Sequence, residues 1–445
     1  MAPADKDILY PQPRYAWYVV LILFLAYVMS FLDRQILTLL IEPIKQDLEL
    51  TDITISLLHG FTFAIFYVIF GFPLGRMADS KNRRNLIIGG ITLWSLMTAM
   101  CGFAKNAWML AAARIGVAVG EASLSPSAYS LISDYFPRDK RGRATSFYSL
   151  GIFAGAGMAY IFGGLITEFA GQVVADSTGL LSNFKPWQLT FIMAGLPGLV
   201  VVVLMTTIRE PARKELLDKG QRSVPMKQVM VYLLSHWKLY STLLVGNAFI
   251  AMANYSLFAW LPAYFIRVYD YTPRSIGVTF GTIILIMGTT GLILGGVLSD
   301  LRYRLGHIGS HYDITVIATS LALVPVVIMY PDFGEQTQLV CVSVLLFFAS
   351  FSTGLVPASM QLVTPNEFRG QVTAIYLFLT SVIGLGLGPT TVAIFTDKYY
   401  GDINAVGESL AITLGLSLAI AVVLMYSGRK FYVRRQMQLI EQLNK

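Results

Sequence analysis

Twelve apolar runs, each long enough to cross a hydrocarbon core of about 30 Å at about 20 residues per helix, dictate what this chain can become. They fall near residues 16–41, 53–78, 86–104, 106–135, 144–169 and 187–208, and again near 239–266, 275–299, 312–330, 337–361, 371–396 and 405–428. Such a pattern belongs in lipid. The 445 residues are 55% apolar and 13% charged, with a mean hydropathy of +0.62, far from the balance of a soluble domain. The expected fold class is an all-α membrane protein of twelve transmembrane helices in two pseudo-symmetric six-helix bundles.

Orientation follows from Lys and Arg in the short connections, which stay on the cytoplasmic side. One set of connections carries Lys81, Arg83, Arg84, Arg138, Lys140, Arg141, Arg143, the stretch Arg209 through Lys238, Arg302 and Arg304; the alternate set carries Lys45, Lys105, Lys185, Arg267, Arg274 and Lys398. Both termini are therefore expected to be cytoplasmic, in a multi-pass protein of the plasma (inner) membrane. The sequence pI of 9.2 needs no nucleic-acid partner, because the excess charge faces an anionic leaflet. Residues 1–14 are polar and the first apolar run is too long for a signal-peptide core, so it is read as the first helix. Cys101 and Cys341 lie in separate spans and support neither a disulfide framework nor a metal site.

The chain repeats itself. Residues 1–208 form one expected bundle, 209–238 a charged cytoplasmic linker, and 239–445 a second bundle with a cytoplasmic tail. FPRDKRGRATSFY is echoed by TPNEFRGQVTAIY, pairing Asp139 with Glu367, Arg141 with Arg369 and Tyr148 with Tyr376. GRMADSKNRR is echoed by GVLSDLRYRL, pairing Asp79 with Asp300. Parallel repeats of this kind rock about a site near the bilayer midplane. The acid ending the second span, the basic turn after it and Arg141 are expected to pair as a cytoplasmic gate, comprising Asp79, Arg83, Arg84 and Arg141 with Asp300, Glu367 and Arg369 in the second half.

GRMADSKNRR resembles the loop signature of the major facilitator superfamily, with Ser80 and Asn82 standing where a basic residue and a glycine are usual. Within that superfamily, FLDRQIL and RIGVAVGEASLSPSAYSLISDYFPRDKRGRA resemble the Spinster family, and the short tails point to a bacterial-type member. That resemblance implies export of sphingosine-1-phosphate or movement of lysophospholipids and other sphingolipids, and hence an amphipathic anionic lipid as substrate. The run GIFAGAGMAYIFGGL lacks the proline of the superfamily's antiporter pattern and reads as small-residue helix packing.

Four charges sit where hydrocarbon should be: Asp33 and Arg34 in the first span, Arg114 and Glu121 in the fourth. Each costs roughly 2.5 kcal/mol at the bilayer centre even on a lenient scale, so such residues normally line a path or hold a proton. At 1.5 Å per residue, Asp33 and Arg114 each lie about 12 Å from the outer ends of their helices and Glu121 about 10 Å deeper than Arg114. In the packing that the superfamily resemblance implies, the first and fourth helices share a central cavity. Desolvation raises a carboxyl pKa and a guanidinium lowers it, so Glu121 and Asp33 are expected to be the proton-coupling pair with Arg114 as their switch. Arg34 points about 100° away from Asp33 around the helix and is assigned to an anionic head group, or failing that to neutralising Asp33 or Glu121.

The second half has no ionisable side chain deep in a span. Its expected contribution is recognition by uncharged groups: Asn247, Asn254, Tyr255 and Trp260 on the seventh span, and Ser350, Ser352 and Thr353 on the tenth. Tyr27 and Tyr376 join this substrate-binding set. His59 reads as an interfacial histidine, and His307 with His311 lacks a third metal ligand. No metal and no organic cofactor are expected, with the proton as coupling ion. No P-loop is present, so a gradient is expected to drive transport by a monomer working through alternating access. An enzyme would need a nucleophile, base or metal constellation that the sequence does not offer. A drug or organic-anion exporter of the same fold, and an uncoupled lipid scramblase, are the competing readings.

Overall fold

The computed structural model describes residues 10–213, 225–365 and 367–443, and among them there are helices and no strands. The membrane helices are α1 (Pro13–Leu39), α2 (Asp52–Ser80), α3 (Arg83–Cys101), α4 (Ala107–Tyr135), α5 (Arg138–Asp176), α6 (Pro186–Thr206), α7 (Trp237–Tyr269), α8 (Pro273–Arg304), α9 (Ser310–Met329), α10 (Glu335–Val363), α11 (Arg369–Tyr400) and α12 (Val406–Leu443). Eleven are long and apolar enough to span a membrane. The twelfth is α3, a 19-residue helix whose mean hydropathy is lowered by Arg83 and Arg84 in its first turn.

Local chemistry sets the helix starts. Asn82 and Asn106 accept the backbone N–H groups of Asn85 and Met109, each at 2.9 Å, as N-caps of α3 and α4. Pro186 and Pro273 open α6 and α8, where a missing N–H costs nothing. The α12 helix continues to Leu443 past the apolar run that ends near 428, because Arg, Lys, Gln and Glu are good helix formers outside lipid.

Two compact units emerge: Met1–Ile44 with Phe66–Gln221, and Lys45–Ile65 with Arg222–Lys445. In the first, α1 packs along the glycine run of α5, where a Cβ on Gly155 would lie 3.2 Å from the Val28 Cα. The rings of Tyr27 and Tyr148 stack between these helices at 4.8 Å. In the second, residues 45–65 are bound by hydrogen bonds from the Ser56 hydroxyl to the Pro389 carbonyl (3.2 Å) and from the Ile53 N–H to Asp397 (2.9 Å). Asp52 completes this attachment by pairing with Lys45 and, at 2.7 Å, with Arg267. The core of the second unit is aromatic, with Tyr312 stacked on Tyr432 at 4.6 Å and Tyr240, Val363 and Tyr376 around them.

Several helices depart from regular winding inside their apolar lengths. The fourth helix of each half is interrupted: α4 at Ala122–Ser123 and α10 at Ser350. In both, the serine hydroxyl donates back to a carbonyl three residues earlier, Gly120 and Phe347 respectively, at 2.8 Å. Wide π-type turns interrupt α2 at Leu57–Phe61, α8 at Ile284–Gly288 and α11 at Thr380–Leu387 and Phe395–Tyr400. Broken backbone at membrane depth is tolerated where protein or a water-filled cavity satisfies it, and wide turns are frequent at functional sites.

The α4 interruption is held by a close crossing with α3. A Cβ on Gly90 would lie 2.0 Å from the Ser123 Oγ and 2.7 Å from the Gly120 carbonyl, and one on Gly120 would lie 2.7 Å from the Gly90 carbonyl. Its neighbour Gly89 has nothing within 4 Å. Gly90→Ala is therefore expected to destabilise the purified protein by about 1–3 kcal/mol, the usual cost of overpacking, whereas Gly89→Ala leaves the melting midpoint unchanged or slightly raised.

Candidate functional site

The four membrane charges lie in the first unit, and the structure pairs them differently from the expectation. Glu121 is the last residue of α4 before its interruption, and its side chain is fully buried. Its Oε2 forms an ion pair with Arg34 and accepts the Ser30 hydroxyl at 2.8 Å. Ser30 and Arg34 stand one turn apart on the same face of α1, so one helix face supplies both donors. The guanidinium of Arg34 lies 5.3 Å from the Phe31 ring centre and 5.6 Å from that of Tyr67, within cation–π reach.

Arg114, expected to switch between the acids, reaches the backbone instead: its Nη1 donates to the Asp33 carbonyl at 3.0 Å. The depth argument holds, since Asp33 and Arg114 do meet. Glu121 makes its ion pair with Arg34, which extends from the helix face that Ser30 shares, while Arg114 acts electrostatically on both Glu121 and Asp33. Asp33 is buried, with the Thr98 hydroxyl and the Trp94 indole of α3 as electrostatic neighbours. Both are placed as donors toward its carboxyl, while the Asp33 Oδ1 and Glu121 Oε1 have no hydrogen-bond partner among the described residues. Burying a polar oxygen without a donor costs roughly 1–3 kcal/mol, more when it is charged.

The remaining substrate-binding candidates fall into two groups. Tyr27 of α1, Tyr129 of α4 and Tyr148 of α5 form one aromatic cluster in the first unit, Tyr27 standing on the same helix as Arg34. In the second unit, Asn247 donates to the Thr380 hydroxyl of α11 at 3.4 Å, and Asn254 and Tyr255 are half-buried on the same helix. Tyr376 sits in the aromatic core. Ser350 is buried against Gly291 of α8 with its hydroxyl on its own helix, a packing position. Thr353 is half-buried one turn later, and Ser352 likewise bonds back along its helix, to the Ala349 carbonyl. Trp260 is fully buried and donates to the Pro389 carbonyl at 2.8 Å, which makes it a helix contact.

The expected gate is also rearranged. Asp79 is exposed at the end of α2 and forms no ion pair among the described residues, while an Arg141 Nη2 donates to the Ser133 carbonyl at 2.9 Å. The buried residue of that loop is Arg83. It pairs with Asp134 of α4 and, at 2.7 Å, with Glu210 after α6, and it also donates to Ser130 and the Pro211 carbonyl. The other Glu210 oxygen accepts the Arg84 N–H at 3.0 Å, and Arg84 donates to the Ile208 carbonyl. The segment following α6 therefore folds back and claims the basic turn. Asp134 stood next to the repeated motif and Glu210 in the linker, but nothing in their spacing announced that contact. In the second half, Asp300 is exposed and lies 3.6 Å from His311, Glu367 is exposed, and Arg369 donates to the Thr364 carbonyl.

A profile of the Major Facilitator Superfamily matches residues 23–389, and the chain belongs to that superfamily of membrane transporters. Within it the chain is similar to an MFS-type efflux pump of Mycolicibacterium smegmatis, 28% identical over 414 residues, covering 90% of this chain and 89% of that protein. It is also similar to Protein spinster homolog 1 of Xenopus tropicalis, 26% identical over 407 residues, covering 86% and 74% respectively. The crystal structure of a bacterial homolog to the human lysosomal transporter Spinster, in an inward-facing and unoccupied conformation, superposes with a TM-score of 0.74 at 24% identity over 97% of this chain and 99% of that one. The resemblance read from FLDRQIL and the α4 segment thus extends along most of the chain.

The buried ion pairs give a direct contrast. Arg83→Gln removes the guanidinium that Asp134 and Glu210 share, and removing one partner of a buried pair costs about 3–5 kcal/mol. The variant should melt well below the parent in detergent, whereas Asp79→Asn should melt with it.

Proposed function

We propose that this transporter is proton-coupled and moves an amphipathic anionic lipid, a lysolipid or sphingoid phosphate, by alternating access. The observation that carries the reading is the Glu121 carboxylate: one oxygen is bound by Arg34 and Ser30 while the other, equally buried, has no donor. A proton on that second oxygen would remove the charge. Arg34 keeps its own charge throughout and presents a planar fork suited to phosphate. An anionic head group that engages Arg34 would release Glu121, which would then take up a proton at Oε1. Asp33, with an undonated oxygen of its own, offers a second proton position. The tyrosine cluster on α1, α4 and α5 supports the amphipathic part of the reading, since aromatic faces suit the apolar portion of a lipid.

The similarity to Spinster proteins favours the lipid. Similarity to an efflux pump of Mycolicibacterium smegmatis favours the second reading, a proton-driven exporter of hydrophobic organic anions using the same Arg34 and Glu121.

Reconstitution separates these. In proteoliposomes an imposed pH gradient should drive lysophospholipid accumulation, and Glu121→Gln should reduce it to the level of protein-free vesicles; because the change leaves the Arg34 guanidinium without its carboxylate, flux is compared at matched amounts of folded, reconstituted protein. Gradient-driven transport by the Gln variant would remove Glu121 from the proton path. Flux of an organic anion without flux of lysolipid would favour the exporter, and lipid equilibration indifferent to the gradient would mean scrambling.

A further inference from the structure

A cleft of about 330 Å³ opens in the second unit between the start of α7 and the tail of α12, within the size range of ligand pockets. Its walls carry Lys238, Arg434 and Arg435, with His236, Trp237 and Phe431 beside them, and no carboxylate lines it. None of the three cations forms an ion pair among the described residues. Aromatic rings face two of them: the Lys238 Nζ lies 5.7 Å from the Trp237 ring and 5.6 Å from the Phe431 ring, and the Arg435 guanidinium 5.7 Å from Tyr232. The Arg435 Nη2 donates to the Tyr232 hydroxyl at 3.3 Å, but its buried Nε has no hydrogen-bond partner.

An apolar stripe adjoins this cationic cleft. The linker helix Met226–Ser235 turns Val229 and Leu233 into the core and leaves Met230, Val231 and Leu234 exposed, Leu234 at 64%, and Trp237, which opens α7 after the break at His236, is exposed at 57%. Met230, Val231 and Leu234, at i, i+1 and i+4, form one face of the linker helix, the pattern of a helix lying in the plane of a membrane interface, and Trp237 follows just past its end. Trp237 is the kind of residue that anchors at head-group level.

We propose that this cleft binds the phosphate head group of an anionic phospholipid in the leaflet adjoining the Lys/Arg-rich loops, with the acyl chains laid along the Met230–Trp237 stripe. The phosphate meets Lys238, Arg434 and Arg435. A free phosphate would satisfy the cations but leave the stripe uncovered, which is why the lipid is the occupant. The cleft lies in the second unit and uses none of the Arg34–Glu121 group, so it concerns an accessory lipid and not the cargo.

The test uses the full-length purified protein and quenching of Trp237 fluorescence by acyl-brominated lipids in mixed micelles, with Trp237→Phe subtracted to isolate that residue. Brominated phosphatidylglycerol should quench at a lower mole fraction than brominated phosphatidylcholine of the same chains. Each cation changed to Gln among Lys238, Arg434 and Arg435 should raise the required phosphatidylglycerol fraction about fivefold. Arg434→Gln, at an exposed position with no ion pair among the described residues, carries the test should the Lys238→Gln or Arg435→Gln variant fail to fold. Equal quenching by the two lipids, or an Arg434→Gln response identical to the parent, overturns the proposal. So does relief of phosphatidylglycerol quenching by millimolar inorganic phosphate, which would identify a soluble-anion site.

Discussion

A charge surrounded by hydrocarbon must be neutralised, and much of the first unit is arranged around that requirement. Asp33, Arg34, Arg114 and Glu121 sum to zero, but they do not form a symmetric pair of ion pairs. Glu121 takes the guanidinium of Arg34 and the hydroxyl of Ser30, whereas Arg114 is anchored on the backbone of α1. One acid is thus partly satisfied by a cation, and the other faces the uncharged donors Thr98 and Trp94. Fully paired buried charges resist change, because removing either partner strands the other. Here each acid retains an oxygen through which its protonation can alter the local charge.

The transmembrane pattern and the chemistry-bearing residues were legible because both rest on composition within a run: about twenty apolar residues make a span, and a charge inside one is conspicuous. Partner choice was not legible. It depends on which helix face a side chain leaves from and how far it reaches, and the Ser30–Arg34 spacing becomes informative only once Glu121 is known to face it. The α4 interruption was equally hidden, since Ala122 and Ser123 are unremarkable in sequence and the break depends on contact with Gly90 of another helix. At the basic loop, repetition of Asp79 and Arg141 in the second half drew attention to residues that share a motif. The structure instead buries Arg83 between Asp134 and Glu210, contacts set by how the segment after α6 returns.

The two units handle polarity differently. The second keeps its charged pairs at the ends of its apolar runs, where Asp313 meets Arg429 at 2.6 Å and Asp52 meets Arg267, and fills its interior with tyrosines whose hydroxyls bond to backbone, as Tyr312 does to the Met425 carbonyl at 2.7 Å. Such an interior supplies shape and hydrogen bonds without ionisable groups. The asymmetry expected from the sequence is therefore present in the positions of the charges, while several uncharged residues singled out with it, notably Ser350 and Trp260, serve helix packing.

The crossing of Gly90 with Gly120 has an evolutionary corollary. Backbone against backbone fixes where α4 stops being regular, and so fixes the height of Glu121 without help from neighbouring side chains. Residues lining the surrounding space can drift in size and polarity while the acid stays put. A scaffold with that division of labour can acquire new cargo through a few lining substitutions and still keep its buried charge where it was.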